Sequence, residues 1–260
     1  MRIMFLNPVP NPKGDDSIGY NAADIEQRLN ALASPGTEIK IAFPDDFKGS
    51  MVHSVMGGQD NLNGLHHMIQ TPSLVKKIVW AQENGFDAVI QSNTFDPGIE
   101  GGRLAVTIPV IGLLRTSLHF ACTLADKIGI VVPLASHIPY TQRLLRYYGM
   151  ENFVTSIGPI GVYGPNLEAR KDEITGITVD LIKGMIAEGA QMVVPLGGLL
   201  IPYVVAPADL TRATGIQVVN TKAIGISFAE SCVRMGVTQS ALTYPTASLT
   251  EQHFDQSAYE

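Results

Sequence analysis

The segments ENGFDAVIQSN (83–93) and AEGAQMVVPLG (187–197) decide how this chain is read. Each leaves an amphipathic stretch through a glycine, Gly85 or Gly189, and enters a short apolar run. A glycine just past a helix suits a left-handed C-terminal cap, and an unbroken apolar run is how a strand buried on both faces reads. With Gly85 set on Gly189 the segments overlie at an offset of 104 residues, which places Asn93 over Gly197. Working outward, strands are expected near 2–6, 38–43, 87–92 and 108–113, then near 128–132, 155–160, 190–194 and 216–220. Helices are expected near 21–33, 72–84, 98–105, 115–126, 137–148, 168–188, 203–213 and 223–235, with Pro72-Ser73 as a helix-start signal. This βα rhythm predicts an α/β fold of two similar lobes. Each lobe holds a four-stranded parallel sheet flanked by helices. A pseudo-two-fold relates them, and the active site lies between the lobes, where strand carboxyl ends meet. The expected division is 1–114 with 221–260 for lobe one and 115–220 for lobe two, with terminal helices open to exchange.

Composition narrows the function classes. Of 260 residues, 45% are hydrophobic and 16% charged, the net charge is −6, and no Lys/Arg run stands out. Nucleic acid and anionic membrane are therefore not the expected partners. The N-terminal MRIMFLNPVPNPKG is too short in apolar residues for a secretory signal, and Val193–Ala206 is too broken by proline and glycine to span a bilayer. Cys122 and Cys232 fall inside helix-like patterns without ligand spacing, so no disulfide framework or zinc site is expected. A cytoplasmic protein acting on a small molecule, without cofactor and as a homo-oligomer, is the expectation.

The stretch GFDAVIQSNTFDPGIEGGRLAVTIPVIGLLRTSLHFA (85–121) resembles the hydantoin racemase branch of the aspartate/glutamate racemase superfamily. The likeness rests on Asp96-Pro97-Gly98, Arg103 and Pro109-Val110-Ile111-Gly112, supported by RIMFLNP at the start, EGAQMVVPLGGL (188–199) and QVVNTKAIGISFAE. It covers most of the chain apart from roughly 44–71 and the tail after 240. The resemblance implies two facing cysteines that take a proton from one face of a carbon and return it to the other. At those positions this chain has Asn93 and Gly197, neither of which exchanges protons near neutral pH.

Other groups converge at the strand ends where such a site forms. Asn7, Ser92, Asn93, Thr94, Ser136, Gly197, Gly198 and Thr221 (with Asn220) are candidates for binding a carboxylate or cyclic imide, since hydroxyls and backbone N–H groups there cradle anions. Arg115 is added because a cation at a helix start opposes the dipole and calls for an anionic partner. His119, one turn later, Tyr140 and Asp96 are the candidate acid–base groups, although Asp96 in its DPG turn also suits a cap for the helix that follows. The irregular 44–71 segment, with Asp45, Asp46, His53, His66 and His67, reads as a lid that supplies a proton-transfer group; its spacing does not favour a metal. Glu100 is a further alternative.

The expected activity is non-cysteine proton transfer with an isomerase or lyase outcome. Hydrolysis of a small amide or imide by an activated water, and a non-catalytic ligand-binding relic, remain open alternatives.

Overall fold

The computed structural model describes residues 1–8, 22–45, 64–163 and 166–255. Two four-stranded parallel sheets form its centre. In the first, β1 (Arg2–Leu6), β2 (Glu38–Ala42), β3 (Ala88–Gln91) and β4 (Val110–Gly112) lie in the order β2-β1-β3-β4. In the second, β5 (Ile128–Val132), β6 (Val154–Pro159), β7 (Met192–Pro195) and β8 (Gln217–Val218) lie in the equivalent order β6-β5-β7-β8. The internal repeat is thus a repeat of topology, and it sets β3 in correspondence with β7.

The helices are α1 (Ala22–Asn30), α2 (Leu65–Glu83), α3 (Ile99–Ala105), α4 (Leu113–Cys122), α5 (Ile138–Tyr148), α6 (Lys171–Ala187), α7 (Pro207–Thr214) and α8 (Thr221–Met235). Because successive strand residues face opposite sides, each sheet carries two cores. On β1, Met4 and Leu6 join Leu74, Ile78 and Ile99 from α2 and α3, while Ile3 and Phe5 join Ile25, Leu29, Ile226 and Ala229 from α1 and α8. On β5, Ile128, Ile130 and Val132 pack with Leu114, Leu118 and Leu145 from α4 and α5, whereas Val131 packs with Ile174, Ile182 and Leu210 from α6 and α7. Two helices cross over. α4 leaves the first sheet and packs mainly on the second, and α8 leaves the second and packs on the first. The chain after α8 returns to lobe one: the Gln239 amide donates to the carbonyls of Val106 and Ile108, and Leu249 and Phe254 cover the α2–α3 core.

Three features differ from expectation. α2 starts at Leu65, with Pro72 inside it. A proline there removes one helical hydrogen bond and typically costs about 3 kcal/mol. The buried ladder His67, Gln70, Leu74 and Ile78 continues through it at helical spacing and offsets that cost. The part of the 44–71 segment from Leu65 on is therefore helix, whereas Asp46 and His53 lie outside the described residues. α7 starts at Pro207 rather than 203, because Leu200–Val204 forms a π-type turn broken by extended backbone at Ile201, and Pro207 suits a first helical position.

The third difference concerns Asp96. It does not cap the helix that follows it, α3, whose N-cap is Gly98. Its buried carboxylate accepts hydrogen bonds from the backbone N–H of Leu114 (2.8 Å) and Arg115 (3.0 Å), and from the Tyr148 hydroxyl (3.0 Å). It therefore closes the N-terminus of α4, where an anion also meets the positive end of the helix dipole. Gly112 permits this approach, since a Cβ there would stand 2.6 Å from the carboxylate. Burial pushes the Asp96 carboxyl above its ordinary range, and the three donors pull the other way. The expected cap of the following helix is corrected accordingly: the Asp96 oxygens hold the start of α4 and the Tyr148 hydroxyl. Asp96→Ala leaves two buried N–H groups and a hydroxyl unpaired. It should lower unfolding stability by about 1–3 kcal/mol, measured as a lower urea midpoint at unchanged m-value.

Candidate active site

The ends of β3 and β7 meet. Thr94, one residue beyond Asn93, is fully buried, and its hydroxyl accepts a 2.6 Å hydrogen bond from the Gly197 backbone N–H. The two walls of the cleft are thus joined directly. Gly197 has φ +76°, which L side chains rarely adopt, and a Cβ there would be driven into the Pro133 ring. This wall has no room for a side chain, whatever its chemistry.

On the opposite wall Asn93 is held by its own turn. Its backbone N–H donates to Gln91 Oε1 (2.8 Å), and its Oδ1 accepts from Phe95 N (2.9 Å). That bond orients the amide so that Nδ2 faces His67 Nε2 at 3.3 Å. An amide nitrogen only donates, so Nε2 is the acceptor and its lone pair points at this wall. His67, from the first turn of α2, is 3% exposed and lies against Phe95 and Tyr140 at ring-centroid distances of 5.6 and 5.5 Å. His137 stacks on Phe95 at 5.0 Å, and burial lowers it to about 4, so it is neutral at physiological pH. Tyr140 is a ring in this cluster. Burial and the field of Asp96 push its hydroxyl up to about 12, so it stays protonated at physiological pH.

Below the Thr94–Gly197 contact lies Lys222, the second residue of α8. It is 1% exposed, and its Nζ donates to the Ser92 carbonyl. A Cβ on Gly198 would come within 2.5 Å of that nitrogen. The amine therefore sits between the loops that leave β3 and β7. Burial lowers it to about 7, against the pull of Asp96. Among the described residues no carboxylate lies within 4 Å of it, and its other neighbours are the Phe5 and Tyr203 rings. Sequence reading missed this residue. A lysine in the first turn of a helix, two residues after its Asn220 N-cap and opposing the helix dipole, was the available signal.

The remaining candidates divide. Ser92, Asn93, Thr94, Gly197 and Gly198 come together around Lys222 and His67, and Asn7 Oδ1 lies 3.5 Å from the Ser92 hydroxyl. The Asn220 side chain caps α8 through the N–H groups of Lys222 and Ala223. The Ser136 and Thr221 hydroxyls are buried with no hydrogen-bond partner among the described residues. Arg115 and His119 make their contacts outside this cluster. The Arg115 guanidinium packs over the Tyr148 ring and reaches Tyr244, so its partners are aromatic and phenolic groups of the fold. His119 is exposed and turns back onto the Arg115 carbonyl at 2.8 Å. Asp45 pairs with Lys77 at 3.0 Å. Cys122 ends α4 and Cys232 lies within α8, and burial pushes both thiols up, opposite to an activated cysteine. Among the described residues no group of three or more His, Cys, Asp or Glu is placed to hold a metal ion, and no helix is long and apolar enough to cross a membrane.

Comparison with known proteins agrees with this architecture. The profile of the family described as Asp/Glu/Hydantoin racemase matches residues 51–229. A hydantoin racemase of Pseudomonas sp. (strain NS671) is 27% identical over 179 residues, covering 67% of this chain and 69% of its own. A hydantoin racemase of Rhizobium meliloti is 22% identical over 97% of this chain and 98% of its own. Among solved structures, allantoin racemase from Pseudomonas fluorescens superposes with TM-score 0.75 at 21% identity, covering 96% of this chain and 98% of that one. A liganded double mutant of arylmalonate decarboxylase superposes with TM-score 0.62 at 16% identity, covering 91% and 94%.

Two outcomes follow. Gly197→Cys should destabilise the fold by about 2 kcal/mol or more, from left-handed backbone and overpacking against Pro133, seen as a lower melting temperature. Lys222 also gives the fold a pH signature. Between pH 7 and 10 the unfolded lysine keeps a proton that the folded one has shed, so stability rises with pH in that window. Lys222→Met removes this linkage. Its stability gain over the natural protein should be largest at and below pH 7 and shrink toward pH 10, measured by urea titration at each pH.

Proposed function

Because the chain belongs to the Asp/Glu/hydantoin racemase family, we propose that it is a cofactor-independent enzyme. On this reading it moves a proton at a carbon of a small carboxylate or cyclic imide, from one face only and without a thiol. The observation that carries this reading is the unequal pair of walls. Where the family resemblance sets two proton carriers, one wall has Asn93 with His67 behind it, and the other has Gly197, which leaves no space for a side chain.

His67 is the group proposed to take the proton. Its Nε2 lone pair faces the Asn93 wall, and the surrounding rings exclude water. A positioned imidazole of this kind contributes typically about 10²–10⁴ in rate. Negative charge that develops on the substrate is received at the floor of the cleft, by Lys222 and by the Ser92 and Thr94 hydroxyls. Preorganised donors in a buried site stabilise such charge strongly. With no acid on the Gly197 wall, a proton returns to the face it left, or another group departs in its place. Isomerase and lyase outcomes both fit. The occurrence of racemases and a decarboxylase on this fold supports that breadth.

The test is solvent exchange. Single enantiomers of 5-substituted hydantoins, aspartate, glutamate and small substituted malonates are incubated with the enzyme in D₂O. Deuterium should enter without loss of optical activity, or carbon dioxide should be released. His67→Gln should reduce this activity by about 10²-fold or more, and the Cys122→Ala/Cys232→Ala double variant should retain it. Racemisation that disappears in the double cysteine variant would overturn the reading.

A further inference from the structure

Lys222 raises a question that the fold does not answer. An ammonium offers three donors, and among the described residues only the Ser92 carbonyl accepts one. A buried charge without partners is expensive, and an apolar side chain of the same length would fill the space at lower cost. The contrast with Asp96 is direct, since that carboxylate is equally buried yet receives three donors. The Lys222 amine also sits where the ends of β3 and β7 converge, beside a glycine, Gly198, whose missing side chain leaves it room.

We propose that Lys222 is the counter-ion for a carboxylate group of the substrate, and that it takes up one proton from solvent as that anion enters the cleft. This deepens the reading above and rests on it. In the resting protein the amine bonds to Ser92 and lies against the Phe5 and Tyr203 rings; the nearest charged influence is Asp96, at the start of α4. Burial holds it at about 7, so a large share of the molecules carry it neutral near physiological pH. An arriving carboxylate supplies the missing counter-charge, which favours the protonated form.

Calorimetric titration of the full chain with sodium malonate at pH 8, in HEPES and in Tris, reads the proton directly. These buffers differ in ionisation enthalpy, so uptake appears as a difference in observed binding heat. The expected result is uptake approaching one proton at pH 8, falling toward zero at pH 6, where the amine is already charged. Lys222→Met should weaken malonate binding at least tenfold and abolish the uptake, while His67→Gln keeps it. Binding with equal heat in both buffers, or uptake that persists in Lys222→Met, overturns the proposal while leaving the anion site intact. Should Lys222→Met fail to fold, the His67→Gln arm decides, because uptake lost there belongs to the imidazole and the proposal fails. Absence of malonate binding by the natural protein at millimolar concentration would instead remove the anion site itself, and this inference with it.

Discussion

The hydrogen bond from Gly197 N–H to the Thr94 hydroxyl is the constraint on which the rest of the site depends. Two sheets with the same strand order each place their third strand at an inner position, and this bond brings those two strand ends together. It spans residues 103 apart in sequence and joins the two lobes directly, beside the packing of His67 and Phe95 against Tyr140 and His137. Glycine at 197 serves two requirements at once. It takes the left-handed backbone of this turn, and it leaves the space that the Pro133 ring fills. Both are geometric, and both empty one wall of the cleft of reactive side chains. The inequality of the two walls is therefore a property of the backbone.

Two buried ionisable groups, Asp96 and Lys222, illustrate how burial separates fold from function. Asp96 is surrounded by donors, and each has a structural identity: two helix N–H groups and a tyrosine hydroxyl. Its charge is spent on starting α4 beneath the second sheet. Lys222 has one acceptor and two aromatic neighbours. Satisfied buried polar groups hold structures together, while unsatisfied ones reduce stability and are tolerated where a ligand completes them. Asp96 fits the first description and Lys222 the second.

The strands were legible because parallel sheets covered on both faces leave unbroken apolar runs, as in DAVI before Gln91 and MVV before Pro195. The glycine stops were legible too: Gly85 and Gly189 carry φ of +72° and +97°. The site was only half readable. Asn93 and Gly197 followed from the offset of the repeat, but their neighbours depended on tertiary contacts. Pro72 looked like a helix start, which hid the first turn of α2 and so the place of His67. The dipole argument applied to Arg115 was sound in form, yet that guanidinium found Tyr148 and Tyr244. The same argument applied equally to Lys222, where the nearby hydroxyls drew attention first. Asp96 was misassigned because a carboxylate that caps a helix 18 residues away looks, in sequence, like the cap of the helix beside it.

A cleft with one inert wall still suits proton chemistry at carbon, because two tasks in such a reaction are separable. Stabilising charge as the carbon loses its proton depends on what faces the carboxylate or carbonyl, and here that means the floor formed by residues 92–94, 197–198 and Lys222. Directing where a proton returns depends only on the walls. A site with carriers on both walls inverts the carbon, whereas a site with one carrier exchanges or replaces on a single face. Removing the second carrier does not weaken the floor, so the barrier to forming the carbanion need not rise. On the proposed reading, the glycine that closes the Thr94 contact thus determines stereochemical outcome rather than reactivity. On the same reading, an amine that is largely neutral above pH 7 and charges as an anion enters limits the cost of maintaining such a site in the empty protein.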